Sequence, residues 1–317
     1  MTRISTDIIN NAYDKHVDLR DLLQKAESDL LTIGLEISDS NTPDLRTLIE
    51  KVLGETAVPT GFSALDRFYG FRKSSLTVVA ARPAMGKTTF ALSIAKNLVE
   101  QNIPVAYFSL EFSDAELGKR LVASELGWDL VLKRLQNKTL SDNEWKQIIA
   151  FEKSGYNFPL YIDDSASLNM FELRAKCRRL KQKHDIQMVI VDYLQLIQGS
   201  AETRGNRERE TAEIMLKLKA LAKELRVPIV VLSQIHHDEV DENKRPEFSK
   251  FKLKAIEQNA DMLMFIHRPE YYGITEDEDG NSTAGMAELI VAKNRLGPTG
   301  TALLKFNKEF VRVEDLT

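Results

Sequence analysis

The chain has 317 residues, 43% hydrophobic and 28% charged, with 43 Lys and Arg against 47 Asp and Glu for a net charge of −4. That length buries a full core, one large domain with a small appendage, and the near-balanced charge excludes a global polycation, so any nucleic-acid contact must be local. A single cysteine, Cys177, excludes an intrachain disulfide and reads as a packed structural thiol in a reducing compartment, while the absence of a signal peptide or a run of roughly 20 apolar residues reads as soluble and cytosolic.

The first organised feature is VDLRDLLQKAESDLLTIGLE, Val17 to Glu36, where Leu19, Leu22, Leu23, Ala26, Leu30 and Ile33 recur at helical spacing. A polar stretch, ISDSNTPDL, separates it from a second expected helix, Leu45 to Leu53. The narrow stripe must be buried, either on its own domain or on a neighbouring subunit. From about Val58 the texture changes to apolar runs, LTVVAA, PVAYFSL, PLYID, MVIVDYLQL and PIVVLSQ, alternating with helix-period segments. Buried parallel strands with crossover helices give that pattern. After Asp261 the runs DMLMFIHR, MAELIVAKN, TALLKFN and FVRVED, broken by turns such as LGPTG, predict antiparallel strands extending one edge. There is no internal repeat or low-complexity tract.

The chemistry falls at strand ends. ARPAMGKTT lies between the strand LTVVAA and the helix FALSIAKNLVE, the context a phosphate-binding loop requires. The loop residues Arg82, Pro83, Ala84, Met85, Gly86, Lys87, Thr88 and Thr89 would cradle the phosphates of ATP. Lys87 would neutralise charge, the Thr88 hydroxyl would ligate Mg2+, and Gly86 would allow close backbone approach. The match is to a relaxed form, because Ala81 stands where the strict pattern has glycine. Phosphoryl transfer to water also needs an acid for the metal and a base for the water. Asp192 ends one strand and suits the first role, and Glu111 follows another and suits the second. Gln234, ending PIVVLSQ, is a neutral amide able to sense the γ-phosphate.

Together, PTGFSALDRFYG, ARPAMGKTT, FSLEFS, RLVASE, ELRAKCRRLK, IVDYLQL, LKALAKELRVPIVVLSQ, AIEQNAD and AKNRLGPTG resemble, in order and spacing, the DnaB-type replicative helicases. The resemblance implies an α/β, RecA-like P-loop fold: a mostly parallel sheet extended by antiparallel C-terminal strands and preceded by a linker helix. It divides the chain into a remnant and linker, residues 1–57, and a motor domain, residues 58–317. It further implies a hexameric ring around single-stranded DNA, ATP at each subunit boundary, 5′ to 3′ translocation, and primase and a helicase loader as partners. Arg120 would lie near the nucleotide base, and Lys293 and Arg295 would reach into the neighbour's site. The stripe helix resembles the linker helix that packs on an adjacent motor domain.

Two departures accompany the resemblance. The collar domain expected upstream of the linker is missing except for ISTDIINNAYD, which suggests a motor fragment or a shortened relative. The loop after Gln234 reads HHDEVDENKRPEFSKFKLKAIEQ, without the family's Arg, Glu and Gly. Lys250, Lys252 and Lys254 remain as candidate phosphate contacts, against the alternative of a half-buried strand. Arg207, with Arg204 and Arg209, is a pore candidate or a solvated loop. The basic helix Leu173 to Lys183 reads as a solvated face, and His236 and His237 lack zinc-site spacing. A recombinase-like or regulatory ATPase, or a non-unwinding assembly module, is the competing reading.

Overall fold

The computed structural model describes Leu45 and residues 57–135, 139–153, 158–203, 205–235, 245–246, 254–277 and 280–316. The chain divides into two compact units, Met1–Glu55 and Thr56–Thr317, and the second carries the fold. Outside the described residues lie the stripe Val17 to Glu36, the expected helix Leu45 to Leu53 apart from Leu45, and Arg204, His236, His237, Lys250 and Lys252.

In chain order the strands are β1 Leu76–Ala81, β2 Val105–Ser109, β3 Leu160–Asp163, β4 Leu168–Asn169, β5 Met188–Asp192, β6 Ile197–Gln198, β7 Ile229–Gln234, β8 Met262–His267, β9 Met286–Asn294, β10 Gly300–Asn307 and β11 Arg312–Asp315. Nine form one sheet in the order β11-β10-β9-β8-β1-β7-β5-β2-β3, and β4 pairs with β6 apart from it. The helices are α1 Ser63–Asp66, α2 Lys87–Glu100, α3 Asp114–Leu126, α4 Trp128–Leu135, α5 Asp142–Lys153, α6 Met170–His184, α7 Arg207–Leu225 and α8 Lys254–Asn259.

The continuous apolar runs become central strands because both faces of the sheet are covered. Along β1, Leu76, Val78 and Ala80 enter one core with Leu173 and Cys177 of α6 and Ile214 and Leu218 of α7. Val79 and Ala81 enter the other with Phe90, Ile94 and Leu98 of α2 and Leu117 of α3. The two-residue period of a strand divides one apolar run between two cores. Local chemistry sets the helix starts: Ser113 with Glu116 and Asn169 with Glu172 form reciprocal caps on α3 and α6.

One strand differs from the expected pattern. DMLMFIHR, read as antiparallel, forms β8, and β8 pairs parallel to β1, with Thr77 opposite Met262 and Ala81 opposite Ile266. The segment between β7 and β8 contains α8 and is long enough to cross over, which a tight hairpin is not. The antiparallel extension begins only at β9, which pairs antiparallel with β8, followed by β10 and β11. Lys254 begins α8 and is exposed, so the half-buried strand alternative fails at that residue.

The basic helix is internally neutralised over much of its length. In α6, Arg174 and Arg178 both pair with Glu224 of α7, Lys176 lies 2.5 Å from Asp163, and Lys181 lies 2.7 Å from Asp185. Cys177 is fully buried there, and burial pushes its thiol well above the usual range, which makes it inert. No helix among the described residues is long and apolar enough to cross a membrane.

Candidate functional site: the phosphate loop and its acids

Parallel pairing delivers the site residues to one edge of the sheet. In register, Ala81 lies opposite Gln234, and Ser109 opposite Asp192. The loop leaving β1, the acid ending β5, the amide ending β7 and Glu111 just beyond β2 therefore emerge together, at the carboxyl ends where α/β sheets bind ligands.

The loop is fixed from behind. Ala84 has φ 63° and Gly86 φ 90°, left-handed values that favour glycine at the second position. A Cβ on Gly86 would also fall 2.6 Å from the Phe306 ring on β10. Arg268 stacks over that ring at 3.7 Å and pairs with Glu270 at 2.6 Å. Arg82 of the loop is buried, and its guanidinium donates to the Tyr272 hydroxyl at 3.2 Å. Pro83 and Ala84 are exposed, while Met85 is buried. Gly86 precedes α2, whose first residues are Lys87, Thr88 and Thr89. The amino end of that helix thus meets the loop, as an anion site requires.

Thr88 Oγ1 donates to Asp192 Oδ2 at 2.7 Å, and the Tyr107 hydroxyl donates to the same oxygen at 2.9 Å. Asp192 is fully buried. Burial pushes its carboxyl up from the usual range, opposed by the hydrogen bonds from Thr88 and Tyr107 and by the charges of Lys87 and Arg120. Burial pulls the Lys87 ammonium down, while Asp192 and Glu111 hold it up, and its Nζ sits 5.6 Å from the Tyr193 ring centroid. Glu111 is exposed. Its carboxyl is pushed up by partial burial and by Asp192, against Lys87 and Arg120.

The structure thus brings together Lys87, Thr88, Asp192, Glu111 and Gln234. Arg120, on α3, stacks on Phe112 at 4.7 Å and acts electrostatically on both Glu111 and Asp192, so its charge faces the acids. Arg207, the exposed first residue of α7, lies near enough to Tyr193 to influence its phenol. Lys293 and Arg295 are elsewhere. Lys293 donates to the Glu257 carbonyl, and Arg295 donates to the Gln258 carbonyl at 2.6 Å and lies 3.6 Å from Asp261. Asp261 caps the amino end of β1 by accepting from Leu76 N at 2.8 Å. Both basic residues are therefore at the opposite end of the sheet from the phosphate loop.

Sequence reading missed Gln195 and Tyr107. Gln195 Nε2 donates to Ser233 Oγ at 3.0 Å and to the Gln234 carbonyl at 2.9 Å, and its Oε1 accepts from Gln234 N at 3.3 Å. It ties the segment after Asp192 to the end of β7. For Tyr107 the signal was a phenol in an apolar, buried strand, because such a hydroxyl requires a partner.

Known proteins share this fold. Residues 57–315 match the family described as DnaB-like helicase C terminal domain. The replicative DNA helicase DnaC of Bacillus subtilis (strain 168) is 36% identical across 100% of this chain and 71% of its own length. The replicative DNA helicase DnaB of Geobacillus stearothermophilus is 37% identical with the same coverage. A solved DnaB-like replicative helicase, described with its interactions with primase, superposes with a TM-score of 0.79 at 31% identity, covering 100% of this chain and 75% of that one. A second solved structure, described as an ATPase domain, gives a TM-score of 0.77 at 32% identity over 88% of this chain and 100% of its own. The chain belongs to the DnaB-like helicase family, and residues 57–315 form its RecA-like, ATP-hydrolysing C-terminal motor domain.

Proposed function

We propose that this motor assembles as a hexameric ring, hydrolyses ATP at subunit boundaries and moves 5′ to 3′ along single-stranded DNA, unwinding duplex during replication. In this reading residues 1–57 supply the linker and 58–317 the motor. The observation that carries it is the convergence of Thr88 and Asp192 at 2.7 Å beside Lys87 and Glu111 on one sheet edge. Loop residues from Arg82 to Thr89 cradle the phosphates, with the backbone N–H groups from Ala84 to Thr89 as donors since Pro83 has none. Lys87 offsets the phosphate charge, Glu111 accepts the proton of the attacking water, and Gln234 transmits phosphate occupancy to the loop that follows. Arg120 lies beside the nucleotide and counters the charge of the two acids.

A divalent cation fits Thr88 and Asp192. Asp192 Oδ1 is a buried carboxylate oxygen without a hydrogen-bond partner among the described residues, an arrangement that favours a cation or its water. Among the described residues no group of three or more His, Cys, Asp or Glu is placed to hold a metal ion, so the fit rests on Thr88 and Asp192. Bound there, Mg2+ would neutralise phosphate charge.

What supports a boundary site is the placement of Arg295. β1 runs from Leu76 to Ala81, five steps of roughly 3.3 Å, so about 17 Å of strand separates the Asp261 end from the loop holding Lys87. In this reading Arg295, with Lys293, lies too far from its own subunit's phosphates and acts at a neighbour's. For partners, the primase contact described for the solved relative and a loader are carried over here, with a cytoplasmic setting.

The direct test of the motor reading is ATP turnover with and without single-stranded DNA, with stimulation expected. Turnover that DNA leaves unchanged favours a non-unwinding assembly module. Lys250, Lys252 and Lys254, with Arg207, are the proposed phosphate contacts. Replacing the three lysines with Ala is expected to weaken binding for every sequence and to flatten the salt dependence by about 0.7 in log-log slope for each phosphate no longer neutralised. A slope equal to the parent's removes them from the DNA path.

Glu111→Gln is expected to keep nucleotide affinity while slowing turnover by about 100- to 10,000-fold, the range for a lost general base. The sign of the pH effect follows from the raised Glu111 carboxyl. The base works only when ionised, so turnover falls as pH drops through a value raised from that of an ordinary glutamate. Rate profiles and fluorescent-nucleotide titrations check both, and lost affinity in a folded variant would assign Glu111 another role.

A further inference from the structure

Resting on the reading of Thr88 and Asp192 as the metal-holding pair, we propose that Tyr107 is a positioning residue that orients Asp192 so that one carboxylate oxygen is reserved for the divalent cation. Tyr107 is fully buried in the middle of β2, in the core beneath α2. It lies opposite Ile190 on β5, and Asp192 is two residues further along the same strand face. That diagonal lets the phenol reach Asp192 Oδ2 at 2.9 Å. Thr88 Oγ1 reaches the same oxygen at 2.7 Å.

The two hydroxyls are not equivalent holders. Thr88 is only half-buried at the start of α2, and its hydroxyl is the group the cation engages. Tyr107 has a ring packed in the core, with few torsions to release it. An ionised carboxylate has about four lone-pair sites on two oxygens. With two donors on Oδ2, the acceptor capacity of Oδ1 is unused: it is buried and has no partner among the described residues. Leaving a buried charged oxygen unpaired is costly, so this asymmetry favours an incoming cation or its water on Oδ1. Without the phenol, the carboxylate is free to rotate and share both oxygens with Thr88. The competing explanation is that Tyr107 merely satisfies its own buried hydroxyl. That explanation predicts a change in stability and none in cation affinity.

The test uses the full chain with saturating ADP, titrated with Mn2+ and read by electron paramagnetic resonance. Parent, Tyr107→Phe, Tyr107→Met and Asp192→Asn are compared, with thermal melts to verify folding. Fluorescent-ADP binding in the presence of a chelator reports the metal-free affinity. Both Tyr107 variants are expected to weaken Mn2+ binding about tenfold, as for lost outer-shell partners of metal ligands, and to leave metal-free ADP binding unchanged. The Mg2+ concentration for half-maximal turnover is expected to rise by the same factor. The proposal is overturned if Mn2+ affinity holds in folded Tyr107→Phe while Asp192→Asn loses it, and the metal reading then stands. Agreement of the two Tyr107 variants separates the lost hydroxyl from altered packing; a loss in Tyr107→Met alone assigns the effect to packing and overturns the proposal. If Asp192→Asn also binds Mn2+ as the parent does, the metal pair and the proposal fall together.

Discussion

Lys87→Ala is expected to lower ATP turnover by about 100- to 1000-fold, the scale for removing one preorganised donor to developing charge. The Lys87 ammonium stands among Asp192, Glu111 and the Tyr193 ring, at the helix end that meets the phosphate loop. Its burial already pulls it toward deprotonation, and the two acids hold the charge in place. Phosphate oxygens would add the charge that Lys87 offsets, so the lost interaction grows as charge moves during transfer. The hydrophobic packing of α2 begins beyond it, with Phe90, Ile94 and Leu98, so the thermal transition is expected to persist. Turnover and nucleotide binding, measured beside a melt, check this. An unchanged rate in the folded variant would remove the phosphate-loop assignment.

Much of the fold was legible because its physics is local. An apolar run flanked by helix-period segments is a buried parallel strand, and β1, β2, β5 and β7 arise where LTVVAA, PVAYFSL, MVIVDYLQL and PIVVLSQ predict them. Strand direction was less legible. β8 carries the same apolar signal whether parallel or antiparallel, and only the crossover through α8 fixes its sense. The placement of ARPAMGKTT and Asp192 at the ends of buried strands was readable because the apolar runs that precede them mark where each strand stops. Tyr107 and Gln195 were not, since their importance comes from pairing across strands. Phe306 is further removed: it lies 220 positions after Gly86 yet blocks any Cβ there. A linear pattern has no means of announcing such a contact.

The second large effect concerns the proposed site between subunits. Arg295→Ala is expected to reduce turnover by about 1000-fold or more, the range for an arginine finger in phosphoryl transfer, while nucleotide binding persists. Within its own subunit Arg295 rests on the Gln258 carbonyl and near Asp261, at the wrong end of β1 for its own phosphate loop. The Arg295 side chain is half exposed and its ion pair with Asp261 is long at 3.6 Å, so the guanidinium can exchange these contacts for a stronger anion. Lys293, near the end of β9, is anchored to the Glu257 carbonyl and adds a second positive charge beside the turn that carries Arg295.

Mixing inactive Arg295→Ala with inactive Glu111→Gln tests this arrangement. Some mixed boundaries combine an intact Glu111 with an intact Arg295 from the neighbour. The most direct measurement is ATP turnover per chain across a range of protein concentration, with mass measured in the same samples. The boundary mechanism predicts turnover that rises more steeply than linearly until assembly saturates, with partial recovery in the mixture. Concentration-independent turnover in a demonstrably monomeric protein, still abolished by Arg295→Ala, would contradict it by placing the finger in its own subunit's site.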